Sequence, residues 1–99
     1  MIKQLYLTLY REYFDAILNG TKRIEYRHRS FRYDRMFLKL YTHVKFVNGY
    51  GHHRPWLIAE IVQFKKTKNH WLIYLGTVIK SGNLSSMGLK NERTKTNAE

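Results

Sequence analysis

Polar and apolar residues alternate strictly near the start of the chain and then change period. Over residues 4–9, Leu occupies every second position, which predicts a β-strand. Over residues 10–19, apolar residues recur every three or four positions, as on one face of an amphipathic helix. Asn19 and Gly20 follow this stripe, and glycine favours the left-handed backbone that ends a helix. These residues therefore predict a strand followed by a helix.

The next part of the chain contains another strand-like segment and one ambiguous stretch. Residues 22–29 return to a period of two and predict a second strand. Residues 30–35 are polar and basic, and we interpret them as a loop. Residues 36–43 fit both a strand and a helical stripe. We favour a strand there because aromatic and other β-forming residues dominate.

The C-terminal half predicts two longer strands. Residues 48–55 are rich in turn-forming types and predict an exposed loop. The run 56–64 is apolar apart from Glu60 and a Gln, which is typical of a strand covered on most of both faces. After a basic turn, residues 70–80 predict a further strand, in which Gly76 indicates a bulge.

These elements predict a single α+β domain over residues 1–82. One early helix and about five strands favour a small, closed or nearly closed β-barrel with the helix packed at one end. Residues 83–99 lack aromatics and are dominated by Ser, Asn, Lys and Thr, so we expect a disordered polar tail. The apolar positions of the strands and the helix predict this core: Leu5, Leu7, Leu9, Phe14, Ile17, Leu18, Ile24, Ile58 and Val62.

The charge balance narrows the range of partners. The 99 residues include 18 Lys or Arg and 7 Asp or Glu, a formal net charge of +11. Such an excess favours polyanions, and nucleic acid first, because binding to phosphates releases counterions. The 8 Tyr and 2 Trp suit stacking on bases. The alternative is a basic surface that only maintains solubility.

Several classes of protein are excluded or disfavoured by what the sequence lacks. There is no Cys, which excludes disulfides and thiolate metal sites. No apolar run approaches the length of a transmembrane helix, and the N-terminus does not resemble a signal peptide. His52 and His53 point apart in an extended chain and predict no metal site. We therefore expect a cytoplasmic domain without a cofactor or a membrane partner; the sequence specifies no oligomeric state.

The most informative motif follows the predicted helix. Gly20, Lys22, Glu25 and Arg27 form a G-x-K-x-x-E-x-R pattern. This pattern, placed after a Leu-rich strand and a helix, resembles the ASCH domain, named for homology to activating signal cointegrator proteins, within the PUA-like superfamily. The resemblance covers residues 5–29 and extends loosely through two later strands. It implies a PUA-like barrel with a cleft that binds RNA or nucleotides.

The resemblance implies that the motif residues lie in this cleft. A Lys at the turn can meet a phosphate or a carbonyl, and Glu25 and Arg27 share one strand face. They can present donors and acceptors to a base, or form an ordinary surface ion pair. Lys22 and Glu25 are three residues apart, so a regular strand would direct them to opposite faces. Both reach one cleft only if the backbone over residues 21–23 is irregular.

The resemblance also implies an alternative, an enzyme acting on a modified nucleoside or on RNA. Some small bacterial ASCH proteins hydrolyse N4-acetylcytidine with a Lys, a Thr three residues later and a Glu on a later strand. Lys22 and Glu60 match the first and third, but Glu25 replaces the Thr, and a carboxylate is no substitute for that hydroxyl. Others are metal-dependent ribonucleases, for which Glu25, Glu60 and Asp34 are candidate ligands. Glu60 lies either on a wet sheet face or buried beside Lys22 or Arg27.

Basic and aromatic side chains supply the candidate RNA contacts. Six cations fall between residues 22 and 35, and three Lys in the turn after residue 64 extend them into a basic rim. The loop over residues 48–55 adds stacking candidates, or else is a loop anchored by one packed Trp. The candidate nucleic-acid-binding residues are Lys22, Arg23, Arg27, Arg29, Arg32, Tyr50, Arg54 and Trp56.

Overall fold

The computed structural model describes residues 2–84 and contains five strands and two helices. The predicted tail over residues 83–99 lies almost entirely outside the described residues. In chain order, the elements are β1 (Gln4–Leu9), α1 (Arg11–Leu18), β2 (Ile24–His28), α2 (Phe31–Met36), β3 (His43–Asn48), β4 (Trp56–Lys66) and β5 (His70–Gly82). The predicted α+β class with about five strands is confirmed.

The five strands form one sheet in the order β1-β3-β4-β5-β2. Strands β1 and β3 are parallel, and the other neighbours are antiparallel. The sheet is strongly curled into a half-barrel. Its two ends, β1 and β2, are therefore the strands whose outer backbone edges have no strand partner within residues 2–84.

Helix α1 forms where the apolar stripe predicts it. Tyr10 lies at its N-terminal boundary and Asn19 at its C-terminal boundary. The chain then reverses at Gly20, whose φ of 87° lies in the left-handed region that glycine adopts without a steric cost. Phe14 and Ile17 are buried, so the apolar face of α1 packs into the half-barrel.

The segment that follows β2 differs from the sequence-based prediction. Residues 30–35, expected as a loop, contain α2, and residues 36–43, expected as a strand, contain the end of α2 and a turn before β3. The hydroxyl of Ser30 accepts the N–H of Tyr33 and caps the helix. Phe37, directly after α2, is buried against Phe64 and Trp71. The segment is helical although its residues favour strands, and the helix places the Phe37 ring in the core.

The core lies on the concave face of the sheet, beneath the helices. The predictions for Leu5, Leu7, Leu9, Phe14 and Ile17 are confirmed, since all five are buried. The residues that form the rest of the buried core are Phe37, Val44, Phe46, Leu57, Ala59, Trp71, Ile73 and Leu75.

Three of the predicted core residues are only partly buried, and one is exposed. Leu18 is half-buried and packs against the core, whereas Ile24 and Ile58 are half-buried but do not belong to that cluster, so their prediction is wrong. Val62 is 69% exposed, so its prediction is wrong. Strand β4 is covered on one face and not on both: Ile61 and Phe64 pack against the core, whereas Val62 follows Ile61 and its side chain points to the opposite face of the sheet.

The predicted bulge at Gly76 is present. Between Ala59 and Ile61 of β4, the partner on β5 moves from Val78 to Leu75, which leaves an extra residue beside Gly76. Neither helix in the described part of the chain has the length or hydrophobicity needed to cross a bilayer.

Candidate functional site

The open seam of the half-barrel holds the candidate site. The curl of the sheet brings β2 towards β1, and Arg27 bridges them by donating from Nη2 to the carbonyl oxygen of Thr8 at 2.6 Å. A side chain thus links the two sheet ends, which no backbone pairing joins. A cleft of about 410 Å³ opens at this seam, between β1, the start of α1, β2 and the loop after β3. Its lining residues include Thr8, Tyr10, Tyr13, Glu25, Tyr26, Arg27 and Tyr50.

The floor of the cleft is a buried charge cluster. Glu25 is only 5% exposed, and a carboxylate in that position requires partners. Arg27 Nε donates to Glu25 Oε2 at 2.8 Å, and Lys22 Nζ lies 3.5 Å from Oε1. Arg27 Nη1 also donates to the hydroxyl of Tyr33 at 3.1 Å. The three motif residues Lys22, Glu25 and Arg27 therefore form one connected cluster.

Lys22 reaches Glu25 because the backbone before β2 is irregular. Thr21 to Arg23 lie outside any strand, and the N–H groups of Thr21 and Lys22 both donate to the carbonyl of Ala16. The Lys22 ammonium also donates to the Ile24 carbonyl at 2.7 Å. Its Nζ lies 5.4 Å from the ring centroid of Tyr13 and the same distance from that of Tyr26.

Lys22 therefore supports the cleft wall from behind. It does not line the cleft itself; it lines a separate depression of about 270 Å³ together with Arg23, Gly76 and Thr77. In that position its charge holds the tyrosine rings and the Glu25 carboxylate in place. Arg27 and Glu25 are the two cluster members that reach the cleft surface.

Four tyrosines form the wall and mouth of the cleft. Tyr10, Tyr13, Tyr26 and Tyr50 are between 43% and 85% exposed, and the rings of Tyr10 and Tyr13 lie 6.4 Å apart. The hydroxyl of Thr8 donates to that of Tyr50 at 3.4 Å. Large exposed aromatic rings around a concave site suit stacking of flat ligands.

Sequence reasoning proposed only Tyr50 among these four. Tyr10 and Tyr13 were part of the apolar stripe of α1, and Tyr26 was part of a strand face. The sequence feature that could have identified them is that they are tyrosines, because the hydroxyl allows a ring at the edge of an apolar stripe to face water.

Glu60 lies away from this cluster. It is exposed on β4, and its Oε1 accepts the backbone N–H of Thr77 at 3.2 Å, beside the bulge. Of the two alternatives for Glu60, the wet sheet face is therefore the one observed. No ion pair among residues 2–84 joins Glu60 to Lys22, so these two groups are not assembled as an acid–base pair.

Arg29 is held by Asp34. Its Nε and Nη2 donate to the two carboxylate oxygens at 3.3 and 3.1 Å, and Nη1 reaches the carbonyls of Thr67 and Lys68. Trp71 Nε1 donates to Asp34 Oδ1 at 2.7 Å. The hydrogen bond from Arg29, and then that from Trp71, holds the pKa of Asp34 below its usual value, and the same bond raises the pKa of Arg29.

The remaining candidate residues are spread around the seam. Arg32 lines a small depression of about 210 Å³ beside Arg27 and Tyr50. Arg54 donates to the carbonyl of Asn48 at 2.8 Å and thereby holds the loop after β3.

Trp56 packs within the sheet and anchors the same loop. Lys45 Nζ lies 4.6 Å from the centroid of its ring. A Cβ at Gly82 would lie only 2.5 Å from its Cε2 atom. The ring of Trp56 is therefore packed against Lys45 and Gly82, which agrees with the alternative that this loop is anchored by one packed Trp. Among the described residues, no group of three or more His, Asp or Glu side chains is placed to hold a metal ion.

The fold and the cleft define the chain as a small α+β half-barrel with a tyrosine-lined seam. No family model, curated protein or solved structure matches this chain. Its function is therefore inferred from its own residues and geometry.

Proposed function

We propose that this chain is an ASCH-like, PUA-like module that binds RNA or a nucleotide in the seam cleft. The observation that carries the proposal is a concave site with four exposed tyrosines above a floor that contains Arg27. Single-stranded RNA is bound in this manner elsewhere, with bases stacked on aromatic rings and phosphates beside cations. The proposal includes a cytoplasmic location, where RNA ligands are abundant.

The contacts of the cleft residues indicate which of them would bind bases and which would bind phosphates. Tyr10 and Tyr50 are the most exposed of the four rings, at 79% and 85%, and offer the largest ring surfaces to a base. Glu25 and Arg27 satisfy each other, so they fix the shape of the floor and add a polar edge. Arg32, next to the cleft, supplies a cation for a phosphate.

The net charge of +11 supports a polyanion over a neutral flat ligand. Phosphate contacts add affinity without reading sequence, so we expect weak sequence preference. The enzyme alternative gains no support, since Glu60 accepts from the Thr77 N–H on the exposed face and Glu25 is occupied by Arg27. A binding module is thus favoured over an amidohydrolase.

The test is fluorescence anisotropy with a labelled single-stranded RNA of about ten nucleotides. We expect binding to weaken more than about tenfold between roughly 50 mM and 200 mM salt, as counterion release requires. Tyr50→Ala should weaken binding by about fivefold to a hundredfold, because stacking is worth roughly 1–3 kcal/mol per base.

Tyr74→Ala is the matched control. Tyr74 lies on β5 and lines neither the seam cleft nor the depression at Arg32. Its replacement should leave RNA affinity unchanged. Affinity that ignores salt, or that falls equally in Tyr50→Ala and Tyr74→Ala, would refute the proposal.

A further inference from the structure

A second depression adjoins the seam cleft through His28. We name it the histidine depression, and the residues that line it are His28, Arg29, Ser30, Phe31, Asp34, Lys68, Asn69 and His70. Its volume is about 550 Å³. His28 lines both this depression and the seam cleft, so a ligand leaving the cleft along β2 passes directly into it.

The two histidines form a close cross-strand pair. His28 of β2 lies opposite His70 of β5. The N–H of Arg29 donates to the carbonyl of Asn69, so the adjacent His28–His70 pair lies at a non-hydrogen-bonded position, where side chains come closest. The ring centroids are 4.4 Å apart. Two imidazolium charges at this distance repel each other, and an anion bound at the N–H edges of both rings offsets that repulsion.

The ring of Tyr26 connects this pair to the cleft wall. Tyr26 contacts His70 edge-on, with ring centroids 6.5 Å apart, and also lines the cleft. Tyr26 and His28 are two residues apart on one strand, roughly 6.5–7 Å. A base stacked on Tyr26 therefore leaves its neighbouring phosphate within reach of His28.

The remaining charges around the pair favour an anion over a cation. Asp34 is the one carboxylate among the residues that line the depression; its charge is paired with Arg29, and it also accepts a hydrogen bond from Trp71 Nε1. Lys68 belongs to none of the ion pairs of residues 2–84. The surroundings of the imidazoles are thus net positive.

We infer that the histidine depression is a second phosphate subsite of the RNA-binding surface, and that it tightens as pH falls and the histidines gain protons. This inference rests on the proposed function, because the ligand is the backbone phosphate next to a base held in the seam cleft. Histidine takes up its proton between about pH 8 and pH 5. Each protonated ring donates to a phosphate oxygen in a charge-assisted hydrogen bond.

The test compares RNA affinity at about pH 7.5 and pH 5.5. For the unmodified protein we expect binding to be roughly tenfold tighter at the lower pH, as one or two added charged hydrogen bonds require. In the double variant His28→Gln, His70→Gln most of this gain should disappear. The matched control is His43→Gln, His52→Gln, which removes the same number of titratable imidazoles elsewhere and should keep the gain.

A second readout separates this inference from the proposed function. The protein is titrated with inorganic phosphate at about pH 5.5, and the ring C–H signals of the histidines are followed by NMR. Selective shifts of His28 and His70, but not of His43 or His52, support the subsite.

The combined outcomes are distinguishable. If RNA binds through Tyr50 but both double variants keep the same pH gain, or both lose it, the subsite is overturned and the cleft proposal stands. If phosphate shifts His28 and His70 but RNA does not bind, the anion subsite stands and the RNA-binding function is overturned. If phosphate moves all four tested histidines equally, the subsite is refuted.

Discussion

Replacing Arg27 with Met should break the side-chain link between β2 and β1 and destabilise the half-barrel. Arg27 donates to Glu25 at 2.8 Å, to the Thr8 carbonyl at 2.6 Å and to the Tyr33 hydroxyl at 3.1 Å. Its side chain is 17% exposed and that of Glu25 is 7% exposed. Met fills similar volume but donates no hydrogen bond. The variant therefore leaves three acceptors without this donor, one of them a buried carboxylate.

The expected loss of stability follows from these contacts. The two neutral acceptors contribute about 1 kcal/mol each, and the bond to the carboxylate about 1.5–3 kcal/mol. Lys22 remains near the other oxygen of Glu25 and limits the damage. We expect Arg27→Met to lower the free energy of unfolding by about 3–5 kcal/mol, the range typical of breaking a buried pair.

Urea denaturation followed by tryptophan fluorescence measures this loss, since Trp71 is only 6% exposed. Glu25→Gln in the Arg27→Met background should recover about 1–3 kcal/mol, because it removes the charge of a buried carboxylate that has lost the nearer of its two cationic partners. Arg35→Met is the control: Arg35 is exposed and lies over the exposed ring of Phe31, so it should cost no more than about 1 kcal/mol. If Arg27→Met lowers the free energy of unfolding no more than Arg35→Met does, Arg27 does not link the two strands. Strictly additive effects of the Glu25 and Arg27 changes would also contradict this role.

Three further changes test the fold around the site. Asp34→Asn should destabilise the protein at neutral pH. Because folding lowers the pKa of Asp34, the difference in Tm between this variant and the unmodified protein should shrink as pH falls below about 4. A difference in Tm that stays constant with pH contradicts this. Gly82→Ala should cost about 1–3 kcal/mol in urea titrations, because the new Cβ would lie 2.5 Å from Trp56, and a neutral result would show that the indole moves freely. Phe14→Ala should cost about 3–5 kcal/mol, since Phe14 is fully buried, whereas Val62→Ala, at an exposed position, should cost under about 1 kcal/mol; similar midpoints for both would reject this core.

Local patterns were sufficient where a segment buries one regular face. Strand β1 and helix α1 lie where the periods of two and 3.6 predict them, and Gly20 and Gly76 mark a helix end and a bulge. The excess of cations is likewise a property of composition alone. In these cases the structure or the charge depends only on the residue types and their neighbours in sequence.

The candidate site was only partly accessible in this way. The motif identified Lys22, Glu25 and Arg27, and the structure joins them in one cluster. The stacking wall, including Tyr10 and Tyr26, could not be derived, because its members come from different elements that meet only at the seam.

Tertiary structure alone decided which face of β2 points inward. Tyr26 faces solvent, while the charged side chains of Glu25 and Arg27 point to the interior, against the usual preference for apolar residues there. The reason is the position of β2 at the end of a curled sheet: there the inner face meets the carbonyl of Thr8 and the hydroxyl of Tyr33. Paired charges are tolerated at that seam because it supplies their partners, and no pattern along the chain specifies which strands will meet there.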